Sequence, residues 1–425
     1  MPPKNQPSLL GRNPLFRNFL FATTVSLMGT NVFDIAMPLY VLEKTHSVLA
    51  VSMVAFCLHL PHFLMAPLTG YTADHFNKRR VMLFTDLGQV LCMLFLFAYE
   101  MTTAQSILPI LLTVFVAKSL MNMFETVTTF QLIPAMVSTE DLSAANSWFL
   151  SAHRLIQVVG PLTGGMLLGI LGVRTCIFLN MISFGATLYF TLRLRKMDEY
   201  FLETEKRSHH SLRHVITDFR ESISYVWSSP LFRPFVFLMF FWNFSSMLPN
   251  SPTFLYYYTE IWHYTAFEYG VVASLFGVLG VIGYLKASSL YSEKNFYSTF
   301  VGACLWQSAF STLALFFFGM PIGLTFVFGF SRIGSSLLTM GTFLLRQTKV
   351  PLNRSGGVNA CIRMFFMSSA PLSALVQAFV IQRFGVRASF TLGAVFLWAT
   401  LFYSRRVAAA IPLKEERSKR MRKAA

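Results

Sequence analysis

Asp34, Lys118, Glu125, Arg154, Arg332 and Arg363 each stand inside a long apolar run. An ionisable side chain in such surroundings costs about 2.5 to 3.5 kcal/mol on insertion scales, so its retention points to function. Two chemistries suit charges kept in an apolar interior: moving a proton, and orienting a polar cargo. Lys118 and Glu125 are seven residues apart, which on a helix puts them on one face about 10 Å apart along the axis. For each charge the alternative is a structural ion pair, and Lys118 with Glu125 is the foremost case. Asp34 has no basic neighbour within four positions; Lys44 follows ten residues later. A carboxyl without a nearby cation can take up and give back a proton most freely. Asp34 is therefore the first choice for a proton carrier, and Glu125 for a structural or substrate-orienting acid.

Other chemistries lack the residues they need. There is no Ser/His/Asp set, phosphate loop or paired-carboxylate constellation in a supporting context. His59 and His62 are closely spaced, but no Asp lies in the interior of that apolar run, which argues against a membrane-embedded enzyme. The five cysteines, Cys57, Cys92, Cys176, Cys304 and Cys361, show no C-x-x-C spacing, so neither a disulfide framework nor a zinc site is expected. His209, His210 and His214 lack acidic or thiol partners at ligand spacing. No cofactor and no metal are expected.

The elements that hold these charges are apolar helices. Apolar residues make up 54% of 425 positions and charged residues 13%, against about 25% charged in soluble domains. A crossing needs roughly 20 apolar residues, and the sequence divides into twelve such runs: 15–41, 48–73, 80–101, 106–134, 143–171, 175–194, 232–257, 267–290, 297–319, 321–345, 355–383 and 387–404. With both termini in the cytoplasm, 27 of the 35 Lys and Arg fall on the cytoplasmic side. Four (Lys44, Arg174, Arg383, Arg387) fall on the outer side and four (Lys118, Arg154, Arg332, Arg363) deep in the interior of the runs, the asymmetry expected of a multi-pass protein. The basic surplus sits beside apolar runs and in the tail Arg417–Lys423, so anionic lipid headgroups, not nucleic acid, are its expected counterion. The first run is too long for a cleaved leader and is expected to be retained.

The chain also echoes itself. Asn13-Pro14-Leu15-Phe16-Arg17 returns as Ser229-Pro230-Leu231-Phe232-Arg233, and Gly172-Val173-Arg174 as Gly385-Val386-Arg387, at offsets of 216 and 213. Two echoes at nearly one offset predict a duplicated six-helix unit. The expected division is 1–194, a cytoplasmic connector 195–231, 232–406, and a basic tail 407–425. Within the connector Leu212, Val215, Ile216, Phe219, Ile223, Val226 and Trp227 recur at steps of three and four, which predicts an amphipathic helix on the membrane surface.

Between the second and third runs the sequence reads Gly70-Tyr71-Thr72-Ala73-Asp74-His75-Phe76-Asn77-Lys78-Arg79-Arg80. It resembles the loop signature of the major facilitator superfamily, G-x-x-x-D-[RK]-x-G-[RK]-[RK]. Gly70, Asp74, Lys78 and Arg79 match; His75 stands for a basic residue and Asn77 for glycine, which predicts a left-handed turn at Asn77. Asp74 with Lys78, Arg79 and Arg80 is expected to act as a latch between conformational states, the alternative being that the cations only set topology. Gly160-Pro161-Leu162-Thr163-Gly164-Gly165 resembles the G-P-x-x-G-G motif of exporter branches, with Ile156 where a further glycine is usual; plain packing is the alternative. Together with Leu142-Ser143-Ala144-Ala145-Asn146, Arg154 and Asp86, these features resemble the macrolide-efflux and enterobactin-exporter group.

The resemblance implies an all-α fold of two six-helix bundles whose helices one, four, seven and ten line a central cavity. Carried onto this sequence, it places Asp34, Lys118, Glu125 and Arg332 about one site, with Trp242, Asn243, Phe244 and Asn250 opposite. The remaining wall, aromatic and apolar, suits a bulky amphipathic substrate. The expected protein is a monomeric, proton-coupled exporter of a drug, antibiotic or siderophore-like compound in a bacterial plasma membrane. An importer or lipid flippase of the same fold is the second reading, and a membrane-embedded enzyme or a sensor the third.

Overall fold

The computed structural model describes residues 9–65, 77–101, 107–138, 140–193, 212–248, 251–291, 295–350 and 355–409. Among them every regular element is helical. In order these are α1 (Leu9–Arg12), α2 (Pro14–Thr45), α3 (Val48–Leu64), α4 (Lys78–Glu100), α5 (Ile107–Met136), α6 (Leu142–Arg193), α7 (Leu212–Ser228), α8 (Phe232–Met247), α9 (Ser251–Tyr256), α10 (Ala266–Leu290), α11 (Phe296–Leu313), α12 (Pro321–Lys349), α13 (Ser355–Phe384) and α14 (Val386–Ala409). Local chemistry sets several of the boundaries. Asn13 accepts from the Phe16 amide at 2.9 Å ahead of Pro14, and Ser47 accepts from the Ala50 amide at 3.3 Å ahead of α3; both satisfy amides that a first turn leaves open.

Nine helices among the described residues are long and apolar enough to cross a membrane, ten if a pair bent by 98° near residue 230 counts as one. The count departs from the twelve expected runs at three places. α3 has 17 residues within the described range. α6 carries two expected runs, 143–171 and 175–194, through Gly172, whose φ of 76° breaks the helical path. The run 232–257 divides into α8 and α9, and α9 continues as a wide helical turn over Tyr257–Ile261. Gly172 and Gly385 are the described glycines with positive φ, 76° and 80°. They are also the two glycines of the second sequence echo, so both of its members carry a glycine with positive φ. A side chain there would be strained by the backbone alone.

The described chain falls into two compact units, one of residues 1–215 with 251–278 and one of 216–250 with 279–425. In the first, Phe19, Leu132, Ile133 and Phe149 are among its buried residues, and α2 lies along α6. In the second, Phe235, Leu238, Cys304, Leu338, Ile362 and Leu401 pack together. The amphipathic connector helix is present as α7, but its apolar face meets protein. Val226 is fully buried in the second core, with Phe219 and Ile223 packed against it, and Trp227 lies against the Phe237 and Phe365 rings. At Phe219, Ile223, Val226 and Trp227 a protein surface covers the stripe that periodicity alone assigned to lipid.

Candidate functional site

The first unit gathers its charges across helices. Lys118, on α5, donates to Asp34 Oδ1 of α2 at 2.6 Å, and its ammonium lies 4.4 Å from the Phe33 ring centroid. The lysine side chain is 3% exposed and the aspartate 43%. The pair therefore joins a buried cation to an anion that reaches an open space. This corrects the expected pairing of Lys118 with Glu125 and the expected isolation of Asp34. A seven-residue spacing keeps two side chains on one face yet roughly two turns apart, whereas the adjacent helix presents a carboxylate within direct reach. Beside the pair, Ser119 donates to the Leu58 carbonyl at 2.6 Å and lies 3.0 Å from His62 Nδ1.

Glu125 has a different partner. Gln89 of α4 donates to its Oε2 at 2.7 Å. One turn earlier on α4, Asp86 is fully buried and accepts from the Thr191 hydroxyl of α6 at 2.9 Å. Asp86 Oδ1 and Gln89 Oε1 are buried without a hydrogen-bond donor among the described residues. Asp86 was noted in the sequence for resemblance alone; its signal is a lone acid eight residues into an apolar helix.

The other expected site residues lie in the second unit and are held within it. Trp242, 6% exposed, donates from Nε1 to Gln307 Oε1 at 2.9 Å. Asn243, equally buried, donates to the Phe366 carbonyl and to Ser369 Oγ at 2.9 and 2.8 Å. Their polar atoms tie α8 to α11 and α13. Phe244 is also buried. Arg332 is half-buried with its guanidinium 5.4 Å from the Phe328 centroid. Arg363 is exposed yet close enough to Arg346 for mutual repulsion. Asn250 lies outside the described residues.

Of the loop motif, Gly70, Asp74 and His75 lie outside the described residues. Asn77 does not take the expected left-handed turn: its φ is −60° and ψ 115°. It caps α4 instead, its side chain accepting from the Arg79 and Arg80 amides at 3.0 and 3.2 Å. Asparagine is as well suited to capping as to a left-handed turn, and here the open amides of α4 decide the matter. Arg79 donates to the carbonyls of Thr191 and Leu192 at 3.0 and 3.2 Å, placing its charge on the negative end of α6. Lys78 is buried and Arg80 exposed.

The α6 motif packs on two sides. A Cβ on Gly160 would stand 2.7 Å from Asn31 Cβ, and one on Gly164 3.2 Å from the Val32 carbonyl, both on α2. A Cβ on Gly165 would strike the Ala266 carbonyl, and one on Gly270 would stand 2.7 Å from the Pro161 carbonyl. The small residues thus let α6 approach α2 and α10 within the first unit. Arg154 donates to Gln157 Oε1 at 2.8 Å.

A cavity of about 650 Å³ opens at the far ends of the same helices, lined by Tyr40, Glu43, His46, Glu100, Arg174 and Glu260 among others. Tyr40 donates to Glu100 Oε1 at 2.8 Å, and His46 Nδ1 lies 3.4 Å from Glu260 Oε1. Asp34, Lys118 and Glu125 do not line it. Nothing in the sequence marked this place beyond the glycine turn at Gly172.

The pattern of the Major Facilitator Superfamily matches residues 19–331. The chain belongs to this superfamily. It is 23% identical over 392 residues to the multidrug efflux pump Tap of Mycolicibacterium fortuitum, covering 89% of this chain and 92% of that protein. It is 25% identical over 367 residues to the enterobactin exporter EntS of Citrobacter koseri, covering 83% and 82%. Among solved structures, a bacterial homologue of the iron transporter ferroportin in an inward-facing state aligns with a TM-score of 0.70 at 17% identity, covering 93% of this chain and 100% of that one. The nucleoside transporter NupG aligns with a TM-score of 0.64 at 14% identity, covering 94% and 100%. These two structures share the fold. The chain is accordingly a multi-pass membrane transporter of small molecules, not an enzyme.

Proposed function

We propose that this transporter exports a bulky, partly apolar small molecule against an inward flow of protons. Its twelve spans would form two related six-helix halves in a bacterial plasma membrane, with both termini in the cytoplasm and a single chain as the working unit. The observation that carries the reading is the set of ionisable and amide side chains inside the first unit: Asp34 with Lys118, and Glu125 with Gln89 and Asp86. Charges held at membrane depth are a means of tying cation movement to a change of helix packing. Export is supported by the near full-length similarity to Tap and EntS, and twelve spans by reading α6 as two, α8 with α9 as one, and α3 as a further one. The glycine turns at Gly172 and Gly385 support the duplication.

The test uses proteoliposomes containing the full chain, with ethidium and erythromycin as probes of bulky amphipathic cargo. An imposed pH gradient should drive accumulation of a probe in the lumen of liposomes whose interior is acidic, and a protonophore should abolish it. Accumulation that follows a sodium gradient, or that runs in the same direction as the protons, would overturn the reading.

A further inference from the structure

Among the described residues, the carboxyl in the ion pair and the buried carboxyl with no cation bonded to it are different residues. Asp34 is bound to Lys118 at 2.6 Å and is 43% exposed in its side chain. Asp86 is fully buried eight residues inside α4, accepts one bond from Thr191 and has a second oxygen with no donor among the described residues. The groups that face Asp86 can be named element by element. From α6 come the Thr187 and Thr191 hydroxyls, from α5 comes Glu125, and on α4 itself Gln89 lies one turn on. Beyond Glu125 on α5 stands Lys118, whose ammonium is committed to Asp34. Arg79, two turns back on α4, is turned to the carbonyls of Thr191 and Leu192. Among the described residues Asp86 therefore faces another acid, two hydroxyls and an amide.

We infer that Asp86 and Glu125, with Gln89 bonded to Glu125 one turn from Asp86, hold one exchangeable proton between them and form the proton site of the transport cycle. Two carboxylates close together at low dielectric cannot both remain ionised, and one proton relieves both the repulsion and the unmet acceptor oxygen. The two orphan acceptors, Asp86 Oδ1 and Gln89 Oε1, mark the place where a donor is wanted. Glu125, half-buried, is the member in contact with less enclosed surroundings. Loading takes one proton from hydronium to a Glu125 oxygen, leaving water behind, and a second transfer passes it between the Glu125 and Asp86 carboxyls, each O–H bond broken being formed again at the acceptor oxygen. Release reverses it, and no electron changes hands. Asp34 then serves to neutralise Lys118.

The inference deepens the proton-coupled reading above and rests on it for its role in transport, but not for the proton itself. Infrared spectra of the full-length protein in liposomes provide a readout that needs no cargo. The wild type should show a carboxylic-acid carbonyl band under neutral conditions, where solvated carboxyls are ionised. The band should vanish in Asp86→Asn, vanish or shift in Glu125→Gln, and persist in Asp34→Asn. A wild type without the band, or a band untouched by both Asp86→Asn and Glu125→Gln, overturns the inference. Asp86→Asn preserves volume and can still accept from Thr191, and Glu125→Gln is a second variant should the first fold poorly. In ethidium transport, Asp86→Asn should lose gradient-driven accumulation at least tenfold and keep downhill counterflow. If the wild type accumulates ethidium under a pH gradient and both variants do so equally, the inference fails while the exporter reading stands. If the wild type shows the band but no gradient-driven transport, the exporter reading fails and the shared proton stands.

Discussion

Removing Asp34 should harm the fold more than removing Lys118, although the two form one ion pair. The asymmetry comes from burial: the lysine side chain is 3% exposed and the aspartate 43%. Asp34→Asn leaves a cation enclosed against the Phe33 ring with no directly bonded anion among the described residues. Lys118→Met leaves an anion that can still reach water and fills the vacated space with an apolar chain. For charge centres about 4 Å apart, attraction is roughly 4 kcal/mol at an effective dielectric of 20 and about 1 kcal/mol in water. One open partner places this pair between those limits, so a coupling energy on the order of 2 kcal/mol is expected. Loss of the anion alone should cost about 2 to 3 kcal/mol, below the range for fully enclosed pairs, and loss of the cation about 1 kcal/mol or less. The assay is thermal unfolding of the purified protein in one detergent, applied to both single variants and to the double variant. The double variant should unfold close to Lys118→Met, because once the cation is gone the anion's absence matters little. Equal losses in the two single variants, or a double loss equal to their sum, would refute the reasoning, since each outcome contradicts an enclosed cation energetically paired with an open anion.

Two more predictions concern packing and topology. Gly165→Ala should slow transport markedly while leaving expression in place, because its Cβ meets the Ala266 carbonyl and backbone cannot rotate aside; such overpacking costs about 1 to 3 kcal/mol, and Gly169→Ala, with open space around its Cβ, is the control that should transport normally. In a cysteine-free background, single cysteines at Met101 and Arg220, both exposed, should label from opposite faces of intact cells; labelling of both from one face would end the twelve-span topology.

The helices were legible because the forces that place them act locally. Apolar length, capping residues and proline positions lie next to one another in the chain, so the expected run 355–383 lies within a residue or so of Ser355–Phe384, and 267–290 within a residue of Ala266–Leu290. Errors arose where one residue type serves two ends. Asn77 suits both a left-handed turn and a helix cap, and only the position of the α4 amides decides. The stripe on α7 suits both lipid and protein, and Val226 found a core. Trp242 and Asn243 offered polar atoms that suit a cavity wall as well as a buried tie, and Gln307 and Ser369 were too distant in sequence to be seen as partners.

Asp34, Lys118 and Glu125 stood out in the sequence as charges in apolar runs, but their pairings did not, and the distinction matters for mechanism. Spacing along a helix reports which side chains share a face, so Lys118 and Glu125 looked like partners. The partner of a buried charge is chosen instead by the adjacent helix, through a register that no local pattern encodes. Once Lys118 is drawn to Asp34, Glu125 is left to an amide, and that amide leads one turn back to Asp86. A single exchange of partners thus moves the acid without a counterion from α2 to the contact of α4 with α5. It also exchanges the two tasks expected of Asp34 and Glu125. An acid locked to a lysine can hold two helices together, and an acid facing another acid can hold a proton. Because α5 carries a member of each pair, a cargo that disturbs the Asp34 pair can change the surroundings of Glu125 through Lys118, two turns away on the same helix. Under the proposed proton coupling, cargo binding at the exposed end and proton release at the buried end would be linked by one lysine, and replacing Lys118 by Met should uncouple them even where the fold survives.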